Sequence, residues 1–170
     1  MSAIGIFTGA FDPIHSGHLA FAHKALNLSL DKIYFLPEPK PRMKPNVSDL
    51  DDRISKLNKA TEQDSRLGVI KLKQNNFEVQ SVLSELNQIF PDSKFVFLFG
   101  DDVLDHLANW KDLDIFAKET EFLIATRNNS IGQISNVFKD FKLQGLGFNY
   151  QIIELNEGIS STEIRSRDTN

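Results

Sequence analysis

Two histidines three residues apart, His15 and His18, lie in the stretch Thr8-Gly-Ala-Phe-Asp-Pro-Ile-His-Ser-Gly-His-Leu19. At that spacing two imidazoles can share one side of a forming helical turn. An imidazole, neutral or charged, can donate a hydrogen bond to a phosphate oxygen without being consumed. Gly9 and Gly17 let the backbone turn tightly and come close to a ligand. The apolar run Ala3-Ile-Gly-Ile-Phe7 before this stretch reads as a buried strand, and Leu19-Ala-Phe-Ala-His-Lys-Ala-Leu26 after it as a helix. The histidines therefore fall where a first strand hands over to a first helix. In an open α/β sheet that strand end faces the crevice where ligands bind. The helix start there offers free backbone N–H groups and a positive dipole end to an anion.

Two further stretches carry chemistry-bearing types. In Ile159-Ser-Ser-Thr-Glu-Ile-Arg165, Ser160 or Ser161 is a good N-cap, so hydroxyls and N–H groups are exposed together, and Arg165 lies one turn beyond. Gly100-Asp101-Asp102 follows a strongly apolar run, and Trp110 comes eight residues after Asp102. On their own these read as a strand-end turn and a core tryptophan.

The elements that must hold these residues alternate between strand and helix signals. Lys32–Leu36, Leu67–Leu72, Lys94–Phe99, Phe122–Thr126 and Tyr150–Leu155 read as further strands. Lys94–Phe99 is nearly all apolar, as expected of a central parallel strand buried on both faces. Asp49–Ala60 reads as a helix capped by Ser48 or Asp49, with Leu50, Ile54 and Leu57 as its apolar stripe. Val79 to Phe90 repeats at helical spacing and is ended by Pro91; Ile134 to Phe141 suggests another helix, and Gly158–Arg165 a short last one. Pro37 stops the second strand, and 37–45, with four prolines and three basic side chains, excludes regular structure. The alternation predicts an α/β fold of Rossmann-like type, an open, mostly parallel sheet with helices on both faces, as a single domain over 1–170.

Composition sets the boundaries of function. Of 170 residues, 41% are hydrophobic and 25% charged, an ordinary globular balance. A net charge of −4 argues against a general nucleic-acid binder. The absence of cysteine excludes disulfides, Cys-ligated zinc and thiol catalysis. No apolar run approaches the ~18 residues of a membrane span, and Met1-Ser-Ala-Ile enters the first strand directly. A cytoplasmic protein with no membrane partner is the expectation.

Gly9, Phe11, Asp12, Pro13, His15, Gly17 and His18 together resemble the G-x-F-D-P-x-H-x-G-H hallmark of the nucleotidyltransferase superfamily, with Thr8 where a second glycine is common. Ile159–Arg165 resembles the I-S-S-T-x-I-R signature of the same superfamily. The resemblance implies ATP bound at Gly9, Ala10, Phe11, Asp12, Gly17, His18, Ser160, Ser161, Thr162 and Arg165, with His15, His18 and Arg165 catalytic. It implies adenylyl transfer by in-line attack, with Mg²⁺ carried on the triphosphate by few protein ligands.

Gly100-x-Asp102 with Trp110 looks like the G-x-D…W element of nicotinate-mononucleotide adenylyltransferases, in which the tryptophan stacks on the pyridine ring. Phe122–Arg127 resembles the strand that follows, with Thr126 in place of a proline. Lys44 and Arg53 resemble a loop lysine and a helix arginine of that family, although its loop histidine falls at Met43. Substrate contacts are thereby expected at Lys44, Arg53, Gly100, Asp102, Trp110 and Arg127, with nicotinate mononucleotide as acceptor. The family usually continues past the last motif, where only Ser166 to Asn170 remain here. Nicotinamide mononucleotide or phosphopantetheine as acceptor, an inactive nucleotide-binding module, and homo-oligomer formation all stay open at this level. His23 and His106 match no motif and read as ordinary helix or loop residues.

Overall fold

A computed structural model describes residues 2–41, 44 and 46–155. In chain order the elements are β1 (Ser2–Gly9), α1 (Ser16–Leu26), β2 (Lys32–Pro37), α2 (Leu50–Thr61), β3 (Leu67–Val69), α3 (Val79–Ile89), β4 (Ser93–Gly100), α4 (Leu113–Glu119), β5 (Glu121–Ala125), α5 (Ile131–Leu143) and β6 (Asn149–Ile153). Short 3-10 turns at Asp101–Asp105 and Leu107–Asn109 join β4 to α4. The six strands form one sheet in the order β3-β2-β1-β4-β5-β6. Every pairing is parallel, which sharpens the mostly parallel sheet expected from the sequence.

Side-chain alternation explains why both faces are covered. Along β4, Phe95, Phe97 and Phe99 enter one core cluster while Val96 and Leu98 enter the other. Along β5, Phe122 and Ile124 separate from Leu123 and Ala125 in the same way. Each strand therefore carries apolar residues at both parities, as a strand buried on both faces must. Helices α1 and α2 supply Phe21, Ala22, Ala25, Leu26 and Leu57 to one cluster. Helices α3, α4 and α5 supply Val82, Leu86, Phe116, Ile134 and Phe138 to the other.

Strand order reverses between β1 and β4. The chain winds outward on one face from β1 to β3, crosses back through α3, and winds outward on the other face from β4 to β6. Loops at the C-terminal ends of β1 and β4 therefore diverge and leave a crevice between them.

Two elements differ from expectation. The third strand ends at Val69 rather than Leu72, because it is the sheet edge and pairs with β2 only over Leu67, Gly68 and Val69. Leu72 turns instead to pack on the α3 side of the core. Pro37 is the last residue of β2, paired with Gly9, rather than the residue beyond it. The expected helix at 158–165 lies outside the described residues.

Candidate active site

The crevice over β1, β4 and β5 has two ends that share Thr8, Gly9, Ala10, Lys44, Gly100 and Asp102. One end adds Gly17, His18 and Arg127 and holds a cavity of about 220 Å³. The other adds Glu38, Pro41, Phe99, Val103, His106 and Trp110. The first end thus sets His18, Arg127 and a helix start beside Phe7, Phe11 and Phe21, the second is walled by Phe99, His106 and Trp110, and Lys44 lines both.

His15 is the N-cap of α1 and His18 is its N3 residue. The Nδ1 of His15 accepts the Gly17 N–H at 3.1 Å, and the Nδ1 of His18 accepts the His15 N–H at 3.2 Å. This is a capping box built from two imidazoles in place of the usual hydroxyl and carboxamide. Since both Nδ1 atoms accept, the neutral rings carry their protons on Nε2. The rings stack with centroids 3.7 Å apart. His15 is buried, whereas His18 is half-buried and lines the crevice. Burial, then the neighbouring His15, Arg127 and Lys44, hold the His18 pKa well below its ordinary 6.5. His18 is therefore a neutral Nε2–H donor at neutral pH.

Beneath this pair, Phe11 adopts a left-handed backbone (φ 49°) and packs edge-on against Phe7 and His18. Its ring supports the turn from below: a side chain at Gly9 would meet it at 3.3 Å. Asp12 is buried, and its Oδ2 accepts the Ser48 N–H at 2.8 Å. The carboxylate thus ties the β1–α1 turn to the loop before α2.

Arg53 takes a different place from the one expected. It is 1% exposed. Its Nε donates to the Ser48 carbonyl, its Nη1 to Ala10 and Glu38, and its Nη2 to Pro39, at 2.8–3.2 Å. A guanidinium engaged on four carbonyls is a clamp between the β1–α1 turn and the 38–48 loop, and its burial leaves no face for a triphosphate. Burial lowers its pKa, opposed by Asp12, Asp49 and Glu38. The sequence signal lies in α2 itself, whose buried residues Arg53, Leu57 and Thr61 repeat every four; the apolar stripe read from Leu50, Ile54 and Leu57 passes beside it. Lys44, by contrast, is exposed and lines both ends of the crevice.

Residues 6–167 match the family model described as Cytidylyltransferase-like. The chain belongs to the cytidylyltransferase-like family. The match takes in both the His15–His18 stretch and the Ser160–Arg165 stretch. A Flavobacterium psychrophilum protein named probable nicotinate-nucleotide adenylyltransferase is 33% identical, over 98% of this chain and 86% of the relative. A Clostridium tetani protein of the same name is 29% identical, over 98% of this chain and 87% of the relative. Among solved structures, Plasmodium falciparum nicotinic acid mononucleotide adenylyltransferase complexed with NaAD superposes with a TM-score of 0.77. At 19% identity, over 98% of this chain and 83% of that one, it shares the fold. This chain is a nucleotidyltransferase of that family.

At the aromatic end, Trp110 is 8% exposed. It stacks on Phe116, tilts against Phe77 and meets Phe99 edge-on. It is both core residue and crevice wall. Its indole Nε1–H donates to His106 Nδ1 at 3.0 Å, so His106, unassigned by any motif, is part of this wall. The two flank the single 3-10 turn Leu107–Asn109, and a pairing across so short a turn has no periodicity to reveal it. A side chain at Gly100 would meet the movable Asp102 Oδ1 at 2.8 Å and Arg127 Cδ at 3.5 Å. Ser160, Ser161, Thr162 and Arg165 lie outside the described residues. Among the described residues no group of three or more His, Cys, Asp or Glu could hold a metal ion, and no helix is long and apolar enough to cross a membrane.

Proposed function

We propose that this chain transfers the adenylyl group of ATP to the phosphate of nicotinate mononucleotide, giving deamido-NAD and pyrophosphate in the biosynthesis of NAD. The observation that carries the reading is the two-ended crevice. His18, Arg127 and the start of α1 gather donors and positive charge at one end, Trp110 and Phe99 wall the other, and Lys44 lines both. A dinucleotide product carries its phosphates in the middle and a ring at each end, and would span both ends of such a crevice. The names of the relatives support the same acceptor.

Adenylyl transfer needs no protein nucleophile. A phosphate oxygen of the mononucleotide attacks the α-phosphorus of ATP in line, the bond to the β-phosphate breaks, and pyrophosphate leaves. The protein positions the two substrates and stabilises the charge that develops. His18 donates from Nε2 to the reacting phosphates. His15 fixes the ring of His18 through its backbone N–H and its own stacked ring. The α1 N-terminus adds the positive end of its dipole, its Gly17 N–H being already held by His15 Nδ1. Lys44 and Arg127 balance the remaining charge where the two substrates meet. Ser160, Ser161, Thr162 and Arg165 are assigned to the β- and γ-phosphates on their motif.

Mg²⁺ carried on the triphosphate would neutralise its oxygens. Asp102, an exposed carboxylate lining both ends of the crevice, suits contact with the water shell of this well-hydrated ion. A cytoplasmic enzyme fits substrates of this kind.

The test is pyrophosphate release from ATP and Mg²⁺ with nicotinate mononucleotide, nicotinamide mononucleotide and phosphopantetheine assayed in parallel. The reading requires release with the first well above the other two. Release with phosphopantetheine alone would keep the mechanism and overturn the acceptor.

A further inference from the structure

Asp101 occupies the unassigned middle position of the Gly100-x-Asp102 element. Asp101 is 0% exposed. Its Oδ2 accepts three successive backbone N–H groups, those of Arg127, Asn128 and Asn129, at 2.8, 2.9 and 2.8 Å. Its Oδ1 is equally buried and has no hydrogen-bond partner among the described residues. A buried carboxylate is costly unless its charge is answered. Here the answer is a nest of main-chain dipoles, so the turn and the carboxylate stabilise each other.

The geometry points to Asp101 as a positioning residue: its carboxylate holds the 127–129 turn against the end of β4 and thereby sets where Arg127 enters the phosphate end of the crevice. The inference rests on the reading of that crevice as the site of adenylyl transfer.

On either side of the turn the backbone is already tied. The Thr126 N–H donates to the Ile153 carbonyl at 2.9 Å. The Ser130 N–H donates to Gln133 Oε1 at 2.7 Å, as part of the capping box that starts α5. Five consecutive N–H groups, 126 to 130, are thus engaged, and the middle three depend on one oxygen atom. Arg127 is itself exposed, and no ion pair joins its side chain to Asp101 among the described residues. The influence of Asp101 on the guanidinium therefore passes through the main chain. Removing the carboxylate frees the turn, and a small displacement of a positioned charge is enough to cost catalysis.

The experiment is a double-mutant cycle between Asp101 and Arg127 in the full chain. Asp101→Ala is expected to lower kcat/KM by roughly 10- to 100-fold, and Asp101→Asn, which keeps one oxygen for the three N–H groups, to recover most of that loss. With Arg127→Ala as background, Asp101→Ala should cost less than about twofold more, since the residue it acts through is gone. A loss of the same size in both backgrounds would overturn the inference, as would Asp101→Ala with unchanged kinetics. The same cycle is run on pyrophosphate affinity by calorimetry, which needs no turnover. If the wild type binds pyrophosphate and the affinities couple but no acceptor supports release, the proposed reaction fails and the positioning role stands. If turnover is found and neither cycle couples, the positioning role fails alone. Should Asp101→Ala not fold, Asp101→Ser, whose shorter side chain cannot accept all three N–H groups, carries the cycle, with an expected loss in the wild-type background that disappears in the Arg127→Ala background.

Discussion

The rings of His15 and His18 stack 3.7 Å apart, and the backbone N–H of His15 donates to the Nδ1 of His18. One residue thus both covers the face of the other and fixes its tautomer. The same contacts that cap α1 leave Nε2 of His18 as a preorganised donor in the crevice. Helix start and proposed catalytic donor are one structure, and a change in either is felt by both.

Replacing His18 by Ala removes that donor, and kcat should fall by roughly 10²–10³, the scale of losing one preorganised hydrogen bond to a developing charge. Steady-state kinetics with both substrates saturating, on protein checked for folding, measures this directly. A loss under threefold with ATP affinity unchanged would remove His18 from the chemical step.

The depressed pKa of His18 also has a sign in stability. Unfolded, the imidazole titrates near 6.5; folded, burial and the neighbouring His15, Arg127 and Lys44 hold it well below. Between the two values the unfolded chain binds more protons, so acidification favours unfolding. The contribution is intact above 6.5 and is lost as pH falls from there toward the folded value. Protonation would also turn Nδ1 into a donor facing the His15 N–H, which breaks the cap. Urea midpoints at about pH 7.5 and about pH 5.5 should therefore drop more for the wild type than for His18→Asn, whose amide oxygen can still accept. An equal drop in both would assign the pH dependence to other groups.

Arg53→Ala should destabilise the fold by on the order of 3 kcal/mol, because it leaves the buried Ala10 carbonyl and the part-buried carbonyls of Glu38, Pro39 and Ser48 without their donor. Thermal melts of Arg53→Ala and Arg53→Lys check this, the lysine restoring part of the loss with fewer donors. If Arg53 instead bound substrate, its removal would raise KM and leave the melting temperature in place.

The contrast between Arg53 and Lys44 shows what was legible in the sequence. Strand and helix order, the parallel sheet and the placing of His15 and His18 at the first strand-to-helix junction follow from periodicity and turn chemistry, which are local. Lys44 and Arg53 look alike as basic residues near a proline-rich loop, and only tertiary packing separates the one that stays in solvent from the one enclosed by four carbonyls. Asp101 and Asp102 differ by one position on a 3-10 turn. The backbone points the first under the 127–129 turn and the second into the crevice, a distinction with no signature in composition. His106 is found only through the indole N–H that it receives.

Trp110 carries both core and wall, so its substitutions must be chosen with that in mind. Trp110→Ala removes a buried side chain packed on Phe77, Phe99 and Phe116 and should cost about 3–5 kcal/mol. Its kinetics would then report unfolding as much as binding. Trp110→Leu keeps apolar volume and removes the aromatic face. It should raise KM for nicotinate mononucleotide by about tenfold while leaving KM for ATP within about twofold, since stacking is lost on one substrate only. Trp110→Phe restores the face without the indole N–H and should recover most of the acceptor affinity; any remaining deficit measures the hydrogen bond that orients His106. Equal rises in both KM values for Trp110→Leu would place Trp110 in the core alone and move acceptor recognition to another wall of the crevice.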